Sequence, residues 1–191
     1  RDEIIGYIGA TTDEIPFIGE LISVKDKERE WESAIERILH NFALRLIVPE
    51  KYYRQVNDYV NNHNLRGRIV YHRYNGVETL RNLEYRSVQD SSLLNKIEFK
   101  PDAKYVDWIE DRMHAEFNYT CVNTLEDFNH IKEKAVTKEG LIKSKGGKHE
   151  KDDRPEANHR EHYVLGWDNR EKIASIRKEW EDLCDQLTAK N

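Results

Sequence analysis

No apolar run in this sequence approaches the ~18 residues that a membrane-spanning helix needs. Cysteine is nearly missing. Cys121 and Cys184 stand far apart in different kinds of segment, so two structural thiols in a reduced, cytoplasmic setting are the simpler reading. The opening stretch RDEIIGYIGATTDE has acids where a secretory leader needs a basic and then an apolar run. Cations are not in excess: 31 Lys and Arg face 36 Asp and Glu, a formal net charge of -5. That balance argues against a strongly basic nucleic-acid module and leaves room only for a local patch. No GxxxxGK[ST] phosphate loop occurs, so this stretch is not expected to hydrolyse ATP. No Cys-x-x-Cys occurs either, which excludes a zinc site built on that motif.

What is present is a charge-rich chain, 35% charged and 38% hydrophobic, long enough for one ordinary domain or two small ones. Residues 15–48 carry the clearest pattern. Phe17 to Val24 predicts a buried strand. Asp26 to Asn41 predicts a helix, continued by Phe42, with Trp31, Ile35, Ile38 and Phe42 as one apolar stripe. Leu44, Leu46, Ile47 and Val48 predict a second strand, stopped by Pro49. Together these make a unit of βαβ size with nothing catalytic in it.

Pro49-Glu50 then opens a helix with Tyr52, Val56, Tyr59 and Val60 on its buried face. Arg66 to Tyr74 predicts a strand, and Ile97 with Phe99 a short one. A helix is predicted from Asp102, with Tyr105, Val106, Trp108, Ile109 and Met113 inward. Asn118 to Asn123 predicts a strand. Thr124 and Asp127 form a capping-box-like start for the next helix. Ala135 to Lys143 predicts a hairpin turning at Glu139-Gly140. Ser144 to His162 is the longest polar run. Asp168 is placed to cap a last helix carrying Ile173, Ile176, Trp180, Leu183 and Leu187 as a heptad seam. That seam suits the start of a coiled coil or a terminal helix packed on its own domain.

Three groups of residues suggest chemistry. Arg66, Arg68, Arg73, Arg81 and Arg86 alternate with Tyr71, Tyr74 and Tyr85, a pairing of phosphate-binding and base-stacking groups. Lys143, Lys145, Lys148, Lys151 and Arg154 form a second basic group, largely cancelled by Glu150, Asp152 and Asp153. Those acids and cations can also pair with one another and order the loop. His149, His159 and His162 with Asp152 and Asp153 are a possible ligand set, but no metal is expected there, because His149 lies in a loop and no cysteine is near. HEKDDR also admits a standalone metal-dependent nuclease with Asp152 and Asp153 as its carboxylates.

Ile18-Gly19-Glu20-Leu21-Ile22-Ser23-Val24 followed by Ala34-Ile35-Glu36-Arg37-Ile38-Leu39-His40 resembles the first half of the hinge domain of SMC-type ATPases. Thr124-Leu125-Glu126-Asp127-Phe128, Val136-Thr137-Lys138-Glu139-Gly140 and Gly146-Gly147 resemble its second half. Phe128 departs from the family's small residue, and lysines surround the glycines. EREWESAIERILH, IKSKGGKHEKDDR and YVLGWDNREKIA are similar, more narrowly, to JetC-type subunits of Wadjet plasmid-defence systems, relatives of the MukB and MksB condensins.

The resemblance implies an α/β fold of two similar halves with mixed sheets and covering helices, flanked by coiled-coil stubs. Residues 1–14 would end an incoming arm, 15–90 and 91–166 would be the halves, and 167–191 would begin the outgoing arm. It implies a homodimer with Thr137, Gly140, Leu141, Ile142, Lys143, Gly146 and Gly147 at the interface. Single- or double-stranded DNA would meet Arg66, Arg68, Arg73, Arg81, Arg86, Lys145 and Lys148. The resemblance further implies a cytoplasmic, nucleoid-associated protein. ATP and magnesium would sit at heads outside this stretch, which needs no cofactor of its own. Kleisin-type and nuclease subunits would complete the assembly away from the hinge.

Overall fold

A computed structural model describes residues 1–76, 88–154, 159–167 and 180. Helix α1 (Asp2–Ile8) ends at Gly9 in the left-handed region. From there the chain runs through the same series of elements twice. The first pass is a 3-10 turn at Ile18–Leu21, β1 (Ile22–Val24), α2 (Glu32–Ala43), β2 (Leu46–Pro49), α3 (Glu50–Asn62) and β3 (Tyr71–Tyr74). The second is a 3-10 turn at Leu93–Lys96, β4 (Ile97–Phe99), α4 (Val106–Glu116), β5 (Thr120–Val122), α5 (Leu125–His130) and β6 (Ala135–Thr137).

The hydrogen bonds repeat with the elements. Ile18 N–H donates to the Arg45 carbonyl at 2.9 Å, and Leu93 N–H donates to the Tyr119 carbonyl at 2.9 Å. Ile47 N–H reaches Pro16 at 3.0 Å, and Cys121 N–H reaches Ser91 at 2.8 Å. Strands β1 and β4 pair antiparallel about Ser23 and Glu98. That pairing is unchanged when the halves are exchanged, so it marks an approximate two-fold axis. Each half closes a parallel βαβ unit, β2–α3–β3 and β5–α5–β6.

The unit expected over residues 15–48 is therefore not a βαβ unit. Strand β1 joins the other half and β2 joins β3. The strand expected from Phe17 keeps only its last three residues. Ahead of them the Glu20 carboxylate accepts the Phe17 N–H at 3.1 Å and winds a turn. Residues Asp26–Trp31 form a 3-10 turn, so α2 starts at Glu32. Asp102 takes a φ of 58°, outside the helical region, and α4 starts at Val106. The cap at Thr124 forms as expected, its hydroxyl accepting the Asp127 N–H at 3.1 Å.

The apolar stripe of α2 and its counterpart on α4 build one core across the axis. Trp31, Ile35, Leu39 and Phe42 meet Tyr105, Ile109 and Met113, with Ile22 and Ile97 between them. Phe42 also packs on Phe117, ring centres 4.8 Å apart. A smaller core places Ile4 of α1 against Val56 and Tyr59 of α3. Asp168, Cys184 and the seam residues Ile173, Ile176, Leu183 and Leu187 lie outside the described residues, while Trp180 is helical and exposed. No described helix is long and apolar enough to cross a membrane. Truncating Phe42 to alanine removes a ring shared by both halves. The expected cost is about 3–5 kcal/mol, read as a lowered urea midpoint with one unbroken transition.

Candidate dimer and nucleic-acid surfaces

The second half goes beyond the repeat. After β6 the chain turns back as β7 (Ile142–Lys143) and again as β8 (His149–Glu150), giving the sheet order β5-β6-β7-β8. The expected hairpin is present, and the polar run after it contributes a strand that hydrophobic patterning could not show. The turn needs Gly140, whose φ is 79°. Its N–H donates to the Thr137 carbonyl at 3.0 Å. Arg37 of α2 lies directly under it and donates to the Glu139 carbonyl at 3.2 Å, so a Cβ at Gly140 would strike the guanidinium.

Several of the expected contact residues face inward. Thr137 is 3% exposed and Lys143 9% exposed. The Lys143 ammonium donates to the carbonyls of Phe128 at 2.5 Å and Ile131 at 2.9 Å, and it lies 4.4 Å from the Phe128 ring centre. This cation closes the end of α5. Thr137, Gly140 and Lys143 thus hold the hairpin on its own protomer. Leu141 and Ile142 are half-buried behind it.

The exposed part of the group is Gly146 and Gly147, with φ of 81° and 80° and nothing within 4 Å of a Cβ at either. Both residues of β8 follow them on the surface. Strand β8 pairs with β7 on one side, and among the described residues its other edge is free. Strand β3 is the counterpart of β6. Where β6 is flanked by β7, β3 has only β2 among the described residues.

The basic residues separate into matched and unmatched groups. Arg73 grips Glu50 through Nε at 2.5 Å and Nη2 at 2.7 Å, and this contact lowers the Glu50 pKa. Lys148 binds Glu150 at 2.6 Å. Arg73 and Lys148 are therefore matched by acids of the same chain. Arg66, Arg68 and Lys145 are exposed and have no ion-pair partner among the described residues. Arg81 and Arg86 lie outside them. The loop after β8 pairs with itself: Lys151 binds Asp153 at 2.7 Å, and Arg154 binds Asp152 at 2.6 Å. The Arg154 guanidinium beside Asp152 holds that carboxyl at about 2. Both carboxylates of the nuclease reading are thus matched by neighbouring cations. His159 and His162 both lie near Glu161, at 3.5 and 3.4 Å. Among the described residues no three potential ligands gather around one point. Cys121 is buried, and burial pushes its thiol up to about 12.

Solved structures share this arrangement. The chain superposes on a Pyrococcus furiosus Smc hinge domain with an extended coiled coil at a TM-score of 0.57 and 24% identity, over 98% of this chain and 65% of that one. A second Pyrococcus furiosus SMC hinge domain matches at 0.55 and 26% identity, over 79% of this chain and 78% of that one. The fold is that of an SMC hinge. A Geobacillus stearothermophilus SMC hinge domain, solved as an asymmetric dimer, matches at 0.52 and 20% identity, over 92% of this chain and 72% of that one. The present chain spans 65% of the first of these structures. No family model matches the sequence, and no curated protein matches it.

Sequence reasoning missed one residue that positions these surfaces, Arg37 beneath the Gly140 turn. Arg37 left no signal, because a cation near a helix end already has a reason to be there.

Proposed function

We propose that this chain is the homodimerisation hinge of an SMC-like protein of the Wadjet JetC type, joining two coiled-coil arms. One observation carries the reading: within the hinge fold, two strands on opposite halves, β3 and β8, each have one edge unpaired among the described residues. An open edge is a template for another strand. If β3 of one copy takes β8 of the other, a two-fold axis satisfies both edges of both copies and the assembly closes. Gly146 and Gly147 stand next to β8 without side chains, which allows a second backbone to approach closely. The Geobacillus stearothermophilus hinge dimer supports the same stoichiometry.

The wider role follows from the resemblance. ATP-driven heads elsewhere would move the arms so that DNA is extruded or enclosed, with kleisin-type and nuclease subunits acting away from the hinge. The JetC-like segments favour plasmid defence. A MukB- or MksB-like role in chromosome condensation would use the same hinge, and the neighbouring genes separate the two. DNA contact falls to Arg66, Arg68 and Lys145, the exposed members of the expected cation set that have no ion pair among the described residues.

The test of the interface is Gly147→Asn. Asparagine tolerates the left-handed backbone, and the protomer has open space for its side chain. Sedimentation equilibrium is expected to show a dimer for the parent and roughly tenfold or more weaker association for the variant, with unchanged near-UV circular dichroism. A parent that stays monomeric at high micromolar concentration would sink the hinge reading. For DNA, the affinity for a short duplex is expected to fall with salt at a log–log slope of about 0.9 per phosphate neutralised. Alanines at Arg66, Arg68 and Lys145 should flatten that slope, and an unchanged slope would remove them from the contact.

A further inference from the structure

The approximate two-fold axis is broken again where the chain leaves the second half. The chain leaving the second half does not stay there. It crosses to the first half and is fastened on α2. The Glu36 carboxylate is 4% exposed and accepts two consecutive backbone N–H groups, Val164 at 3.0 Å and Leu165 at 2.9 Å. Gly166 N–H donates to the Gly19 carbonyl at 2.9 Å. The Val164 carbonyl lies so close over Gly19 that a Cβ there would collide with it. Arg160 pairs with Glu32 at 2.8 Å just upstream.

The incoming chain reaches the same turn. Arg1 grips Glu20 through two contacts of 2.6 and 2.7 Å, while Ile4 packs into the small core over α3. The turn Ile18–Leu21 therefore touches Arg1 through Glu20 and residues 164–166 through Gly19.

Among the described residues the second half has no equivalent fastening. Glu110 stands on α4 where Glu36 stands on α2, each following the buried isoleucine of its stripe. No hydrogen bond or ion pair engages the Glu110 carboxyl among the described residues, and burial together with Asp107 raises its pKa. Leu94 stands where the first half has Gly19, so the same close backbone approach is closed there.

We propose that Glu36, with Gly19, is the positioning site for the outgoing arm: it fixes that arm's root beside the incoming one, so the angle between the two arms is set within the first half. The inference rests on the hinge reading for the word arm. A carboxylate is suited to the task because one charged group can satisfy two adjacent N–H donors that no strand or helix serves. Gly19 supplies the clearance. The second half presents β8 and the glycine pair.

The test compares Glu36→Gln with Glu110→Gln. A glutamine keeps one acceptor oxygen and turns an amide N–H₂ toward the other donor, a mild change that should fold. Hydrogen exchange at Val164 and Leu165 is expected to quicken roughly tenfold or more in Glu36→Gln and to stay at the parental rate in Glu110→Gln. Pulsed-EPR distances between labels at Asp2 and Trp180, with Cys184 replaced by serine, should broaden only in Glu36→Gln. Gly19→Ala, which attacks the same contact from the opposite side, should broaden them too. Unchanged exchange and unchanged distances in both Glu36→Gln and Gly19→Ala would overturn the proposal. The mass of the parent in solution reports on the hinge reading separately, since a dimer with an unaltered arm root would retain the hinge and discard the clamp.

Discussion

The pairing of β1 with β4 is the constraint on which the rest of the molecule depends. It is short, three residue pairs long, yet it is the only ladder among the described residues that joins the two halves. By setting Ile22 opposite Phe99 and Val24 opposite Ile97, it brings the stripe of α2 and that of α4 into one core. Each half alone would expose half of that core. The halves are similar in construction and dependent in stability, so their boundary near residue 90 does not separate two self-sufficient domains.

Symmetry of that kind leaves a chain with duplicate surfaces, and the sequence assigns them different work. In the second half β6 is extended by β7 and β8, and the extension is secured from inside by Lys143 and from the first half by Arg37. In the first half β3 stays open among the described residues, while Gly19 and Glu36 accept the departing chain. Two adjacent residues of α2 thereby link the two kinds of surface. Glu36 holds Val164 and Leu165, and Arg37 supports the hairpin that leads to the glycine pair. In the proposed reading, this helix is the part through which arm and interface are mechanically joined.

Much of this was legible in the sequence and some was not, for identifiable reasons. The α2 and α3 stripes, the Thr124 cap and the Gly140 turn rest on local patterns that tertiary contacts reinforce. The two-half fold was legible through resemblance, because Ile18–Val24 and Ile97–Phe99 are too dissimilar to announce a repeat. Strand β8 was invisible because His149-Glu150 on an outer edge carries no apolar alternation. Lys143 was read as a surface cation, since sequence does not show a lysine capping a buried helix end. Arg73 and Glu50 are far apart in the chain, so their pairing could not be foreseen from charge spacing.

The central claim is that open edges of opposite halves meet between copies. It is tested most directly by mixing, with an added thiol oxidant, two proteins that each gain one exposed cysteine in a Cys184→Ser background, Arg73→Cys on β3 in one and His149→Cys on β8 in the other. Cys121 is buried and stays out of reach of the oxidant. The expected result is a disulfide-linked dimer in the mixture, with little or none from either protein alone. A mixture that remains monomeric on a denaturing gel, or one that links no better than each protein by itself, would contradict the account.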